Sequence, residues 1–277
     1  QHDRAGFVER LDRFLGAAHA RGIGALLVFF DGVWDPAPAW GPQPEPRPGV
    51  HNSRWAQRPG AAILGDPARP DELAPYVQGV LDRFRDDPRI DGWDLFNEPD
   101  NPNLAYAEQE IPDKDARSLD LLRRAFAWAR EVAPSQPLTA GVWRGSWSDP
   151  AALSAMDAFC LDRSDVISFH HYGDLGALAH RVEALQRYER PLWCTEWLAR
   201  GIGSTVDPHL RWMHEHGVGA YHWGFVVGRT QTHLPWDSWV KPYVDREPEP
   251  WHHEILRADG SPYDEAEVAL FRELTGR

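Results

Sequence analysis

Residues 25–30 read Ala25-Leu26-Leu27-Val28-Phe29-Phe30, six apolar side chains in a row, closed by Asp31. A strand with one wet face alternates apolar and polar residues. A run without alternation is the pattern of a parallel strand buried on both faces. Upstream, Phe7, Leu11, Phe14 and Ala18 recur at spacings of three and four, predicting a helix over 4–20, which Gly22 and Gly24 end. Downstream, Asp31–Pro70 is a long segment rich in Pro, Gly and Trp without periodicity, read as a loop. Helices are then expected near 71–85, 115–132, 151–159, 175–188, 205–216 and 262–274. Strands are expected at 92–96, 138–143, 166–170, 191–195 and 218–225, with a second long loop over 226–253. Helices alternating with short apolar strands predict a parallel α/β fold. No linker or repeat interrupts it, so residues 1–277 read as a single domain.

Composition narrows the function. The longest apolar run, Ile23–Phe30, is far too short to span a bilayer. Lys and Arg number 29 against 42 Asp and Glu, a formal charge of −13, which argues against nucleic acid and anionic membranes as partners. Two cysteines, Cys160 and Cys194, cannot build a disulfide framework or a cysteine zinc site. Cys194 lies in an apolar stretch and reads as an inert buried thiol. Tryptophan is abundant, at 14 of 277 residues. That fits either a Trp-rich core or a cleft that stacks flat ligands such as sugar rings.

In a parallel α/β protein, catalytic groups collect at the carboxyl ends of the strands. Those ends carry Asp31, then Asn97-Glu98-Pro99, Trp143-Arg144, His170-His171-Tyr172, Glu196-Trp197 and His222-Trp223. Two of them hold a carboxylate after an apolar strand: Glu98 in GWDLFNEPD and Glu196 in PLWCTEWLA. A carboxylate pair on a rigid scaffold suits glycoside hydrolysis, one group protonating the leaving oxygen and the other attacking carbon or activating water. Either glutamate alone reads first as a salt-bridged strand end, a reading that weakens for the pair because each has a supporting neighbour. Asn97 could hold a substrate hydroxyl, while Tyr172, Trp197 and Trp223 could form a stacking floor. Asp31, Trp34, His51 and Trp55 either line a cleft or cap a Pro-rich surface loop. Trp236-Asp237-Ser238-Trp239 has the same two readings. His214-Glu215-His216 and His252-His253-Glu254 lack the H-E-x-x-H spacing, so no metal is expected there. No serine sits in a G-x-S-x-G elbow.

Taken in order, Asn97-Glu98-Pro99, His170-x-Tyr172, Thr195-Glu196-Trp197 and Trp223 resemble the signature of the glycoside hydrolase clan A barrels. The likeness in detail is to the cellulase-type enzymes of family 5, and it runs over essentially the whole chain. The resemblance implies a (β/α)8 TIM-barrel fold in which residues 25–30 are the third strand and the six visible strands are the third to eighth. It implies Glu98 as acid/base and Glu196 as nucleophile of a retaining enzyme, with no metal or organic cofactor. It implies carbohydrate contacts from Asn97, His170, Tyr172, Trp197 and Trp223, with Asp31, Trp34, Trp143 and Trp236 nearby. The substrate class is a β-linked xylan, mannan or β-glucan. The competing expectation is a carbohydrate-binding protein without turnover. The first two strands, and the arginine that supports the nucleophile there, have no counterpart in the sequence, which starts at Gln1 and is therefore expected to be part of a longer chain. Open edges at 25–30 and 218–225 would then favour self-association or be covered by the 31–70 loop.

Overall fold

The computed structural model describes residues 3–276, which fall into two compact units. The first comprises residues up to 38, 57–140 and 158–166; the second comprises 39–56, 141–157 and residues from 167 onward.

The first unit is built on a parallel sheet in the order β1 (Ala25–Val28), β2 (Ile90–Asp94), β3 (Leu138–Thr139). Leu26 lies opposite Gly92 and Trp93 opposite Leu138. Helix α1 (Arg4–His19) opens the unit, its first turn capped by Asp3, which accepts the Gly6 N–H at 3.0 Å. A short α2 (Ala61–Leu64) follows. Helix α3 (Ala74–Phe84) then buries Val77, Val80, Leu81 and Phe84, and α4 (Lys114–Val132) buries Leu121, Leu122, Ala125 and Phe126. Trp93 anchors this core. Its ring stacks on Phe29 at 5.5 Å, and its indole N–H is donated to Gln136 at 3.1 Å, so the buried polar atom is satisfied.

The second unit repeats the plan, with parallel strands β4 (Ile167–His170), β5 (Leu192–Glu196) and β6 (Gly219–Ala220). Helix α5 (Ala155–Arg163) leads toward β4, and α6 (Leu175–Gln186), α7 (Val206–Glu215) and α8 (Glu265–Thr275) belong to this unit. Its core includes Phe169, Leu185, Trp197, Val206 and Met213. Gly219 must be glycine, because a Cβ there would come within 2.6 Å of the Trp193 ring.

Several local expectations shift. Strand β3 ends at Thr139 rather than 143, although Val142 still makes an isolated parallel bridge to Phe169. Strand β6 ends at Ala220 rather than 225. Beyond it the backbone still follows β5, with Tyr221 N–H on Cys194 O at 2.8 Å and Trp223 N–H on Trp197 O at 2.9 Å. Gly224, at φ +81°, then turns the chain away. The 31–70 loop contains α2, the helix expected from 71 opens with a turn of 3-10 helix at Pro70–Leu73, and the second long loop contains another at Trp236–Trp239. On α1 the expected apolar face is largely wet: Phe14 is 58% exposed and Leu15 is the buried position. Contact there is made by Leu15, by Phe7 edge-on to Tyr76 at 6.0 Å, and by Asp12 paired with Arg89. Among the described residues, no helix is long and apolar enough to cross a membrane.

Candidate active site

Glu98 and its neighbours belong to the first unit. Past β2, Leu95 N–H is donated to Thr139 O, and Asn97 N–H to Phe30 O at 2.8 Å, so the strand end is pinned on both sides. Asp94 is structural, its carboxylate accepting the Phe96 N–H at 3.0 Å. The chain then bends at Glu98, which adopts φ +42°, a left-handed conformation that a glutamate reaches only at a cost of about 1–3 kcal/mol. Such strain concentrates where the fold holds a side chain for chemistry. The carboxylate is buried, and Asn101 donates its amide N–H to Glu98 Oε2 at 2.6 Å. Gly32 makes room for the bend, since a Cβ there would sit 2.3 Å from the Glu98 carbonyl.

Asp31 and Trp34 line the same end of this unit. Asp31 is bridged in parallel to Asn97 and in antiparallel to Arg58, and it accepts the Val33 N–H at 3.1 Å. Trp34, at φ +79°, is gripped by the Asn103 side chain, which donates to its carbonyl at 2.8 Å and accepts its N–H at 3.0 Å. Lys114, buried at the start of α4, donates to the Gly32 carbonyl and to Glu110, both at 2.6 Å. Burial pulls its ammonium below the usual lysine range, and Glu110 works against that pull.

Glu196 and its neighbours belong to the second unit. Glu196 ends β5 opposite His170, across an irregularity that breaks the register after Phe169. The Tyr172 hydroxyl is donated to Glu196 Oε2 at 2.7 Å, and His170 Nδ1 stands 3.5 Å from the same oxygen. A hydroxyl and an imidazole thus converge on one carboxylate oxygen and fix its orientation. Trp236, 39% exposed, sets its ring edge-on to Tyr172 at 5.1 Å. Trp223 and Trp143 are half-buried, the latter beneath the Arg144 guanidinium at 5.7 Å. Trp197 is 0% exposed and lies inside the unit between His209 and His222, so its ring presents no open face. Trp55 is exposed, whereas His51 is buried with Nδ1–H donated to Leu234 O at 2.7 Å. Cys194 is buried and unbridged, and burial pushes its thiol up, as an inert core thiol requires.

Sequence reasoning passed over Asn101, Asn103, Lys114 and Arg200. The two asparagines follow the NEP turn within five residues, the only local signal among the four. Arg200 is tied to residues fifty or more positions away.

No protein-family model matches the chain, and no curated protein aligns with it. Solved structures do resemble it. The hyperthermophilic β-glucosidase of Pyrococcus furiosus is 14% identical with a TM-score of 0.60, over 99% of this chain and 70% of that one. The β-1,4-mannanase of the sea hare Aplysia kurodai is 16% identical with a TM-score of 0.54, over 79% and 68%. The β-D-glucuronidase of Dictyoglomus thermophilum is 14% identical with a TM-score of 0.50, over 76% and 36%. The chain spans only 25% to 38% of the length of three large glycosidase structures it matches, this glucuronidase among them. At these identities the likeness is one of fold: the chain has the α/β architecture of these enzymes.

Proposed function

We propose that the protein is a retaining glycoside hydrolase acting on β-linked oligo- or polysaccharides of the xylan, mannan or β-glucan type. On this reading residues 1–277 are a single functional domain whose six strands correspond to the third to eighth of a family 5-like (β/α)8 barrel. Glu196 attacks the anomeric carbon as the glycosidic C–O bond breaks, and the Glu98 carboxyl proton passes to the departing oxygen. Glu98, now a carboxylate, takes a proton from water, whose oxygen displaces Glu196 from carbon. Asn97, His170, Tyr172 and Trp223 contact the sugar at the reacting ring, with Asp31, Trp34, Trp143 and Trp236 around it. No metal or organic cofactor enters this mechanism.

The observation that carries the reading is the 2.7 Å hydrogen bond from Tyr172 to a strand-end glutamate. A hydroxyl donated to the carboxylate holds it in place, as an attacking group requires. The β-glucosidase and β-1,4-mannanase among the structural neighbours are in keeping with a β-linked glycoside as substrate.

The test is incubation with activated 2-deoxy-2-fluoro glycosides of the gluco, manno and xylo series, followed by intact mass. One covalent adduct per chain, mapped to the peptide holding Glu196 and lost in Glu196→Gln, is the expected result. Sugar binding without adduct or hydrolysis across the series would replace the enzyme with a carbohydrate-binding protein.

The partner side of the proposal concerns β1, the terminal strand of its sheet, where Val28 is 49% exposed. Unpaired edges template pairing with other chains, and a lysine blunts them. Val28→Lys should therefore reduce concentration-dependent association in light scattering. A wild-type protein monomeric at all concentrations would end the idea.

A further inference from the structure

We infer that Arg200 is a positioning residue for the hydroxyl that Tyr172 donates to Glu196, acting through the strap of residues 251–254. The inference rests on the glycosidase reading and adds a component to that site.

Arg200 lies just past Glu196 in the chain and is 8% exposed. Its guanidinium donates to the carbonyls of Trp251 at 3.3 Å, of Glu254 at 3.1 Å and of His253. Two further N–H groups go to Glu267 on α8, at 2.8 and 2.5 Å. The Arg200 backbone N–H closes the set on the His252 carbonyl at 3.0 Å. Every carbonyl of the strap is thus held by one residue, and only a guanidinium can do this, because lysine lacks the planar fork of donors.

The strap carries this order to Tyr172. The His253 ring packs 5.6 Å from the Tyr172 ring, and its Nδ1–H is donated to the Leu198 carbonyl. His252 stands 4.4 Å from His253 and meets Trp236 edge-on at 4.7 Å. Trp236 meets Tyr172 in turn. Tyr172 is therefore backed by two rings that the strap supports, and Trp236, on an exposed loop, has His252 behind it. Both imidazoles are buried, and burial together with Arg200 keeps them uncharged, so no imidazolium repels the guanidinium. A phenol free to rock would spread its hydroxyl over both carboxylate oxygens. A misplacement of about 1 Å at such a contact costs on the order of 10²-fold in rate.

A double-mutant cycle on fluoroglycoside labelling tests this. Arg200→Lys should slow labelling about 100-fold, and Glu267→Gln about 5-fold, with inhibitor affinity nearly unchanged. Tyr172→Phe should slow it about as much as Arg200→Lys. The deciding measurement is the combination: in the Tyr172→Phe background, Arg200→Lys and Glu267→Gln should add almost nothing, because the group they position is gone. The acidic limb of the labelling profile should also move to higher pH in Arg200→Lys and Tyr172→Phe alike, as the carboxylate loses its donor. Full additivity, or an unmoved limb, overturns the inference while leaving the glycosidase intact. If Arg200→Lys fails to fold, Glu267→Gln decides in the same cycle. A wild-type protein that takes no label overturns the glycosidase reading itself.

Discussion

Glu98→Ala is expected to lower kcat/KM on glycosides with sugar leaving groups by about 10³–10⁴-fold, and on activated aryl glycosides by far less in the bond-breaking step. The difference follows from where the proton goes. A departing sugar alkoxide is strongly basic and must be protonated as its bond to carbon breaks. A nitrophenolate leaves without help, so it feels the loss of Glu98 only when water must be activated in the second step. Small anions need no base, and azide should therefore restore turnover of aryl substrates in Glu98→Ala and yield a glycosyl azide of retained configuration. The structure gives reasons to assign this work to Glu98. Its left-handed backbone is kept despite its cost, its carboxylate is buried, and Asn101 holds one of its oxygens. Equal losses on both substrate types would make Glu98 a sugar-holding group instead.

The parts of the molecule legible in the sequence are those set by neighbours along the chain. The apolar run at 25–30 and the periodic helices declared parallel α/β construction, and the ends of those strands located Glu98 and Glu196. Side chains whose partners are distant in sequence were not legible. Nothing local distinguishes Arg200 from a surface arginine; it becomes a buried hub because α8 and residues 251–254 return to it. Lys114 opens an amphipathic helix and would pass for solvated, yet the Gly32 carbonyl captures it. Trp197 follows a strand-end glutamate, where an aromatic reads as a stacking surface. Here it is fully buried and stacks toward His209 instead. Strand lengths were overread at β3 and β6, because an apolar run continues where ladder pairing gives way to single contacts: Val142 bridges Phe169 in isolation, and past Ala220 the chain follows β5 through Tyr221 and Trp223 until Gly224. On α1 the spacing was helical, but periodicity says only that a face exists, and the packing there uses Leu15 instead of Phe14.

Acid is expected to unfold this protein well before its surface ion pairs titrate. Several histidines are buried in the second unit with little to stabilise their charge. Burial pulls His51 down to about 3, and His171, His222 and His252 down to about 4, from an ordinary value of 6.5. His253 falls well below it for the same reason, with His51 and His252 beside it adding repulsion. Above pH 6.5 these rings are neutral whether the chain is folded or not, and they impose no pH dependence. As the pH falls from 6.5 toward 4, the unfolded chain takes up protons that the folded chain refuses, so stability drops steadily through that window. Each unit of depression is worth about 1.4 kcal/mol, and a domain of this kind has only about 5–15 kcal/mol in hand. One opposing group falls short of offsetting this. Burial raises Glu254, so acidification relieves one buried charge. The carboxylates of Asp87 and Glu72, held down by arginines, lose their contribution only as the pH falls through the carboxylate range and below. Melting curves at fixed ionic strength should show Tm falling by about 10 °C or more between pH 7 and 4.5. His222→Phe, placed against Phe225 and Phe271, should flatten the profile by removing one refused proton. A Tm that holds level to pH 4.5 would mean that water or rearrangement admits charge to these rings, and that their burial does not govern acid stability.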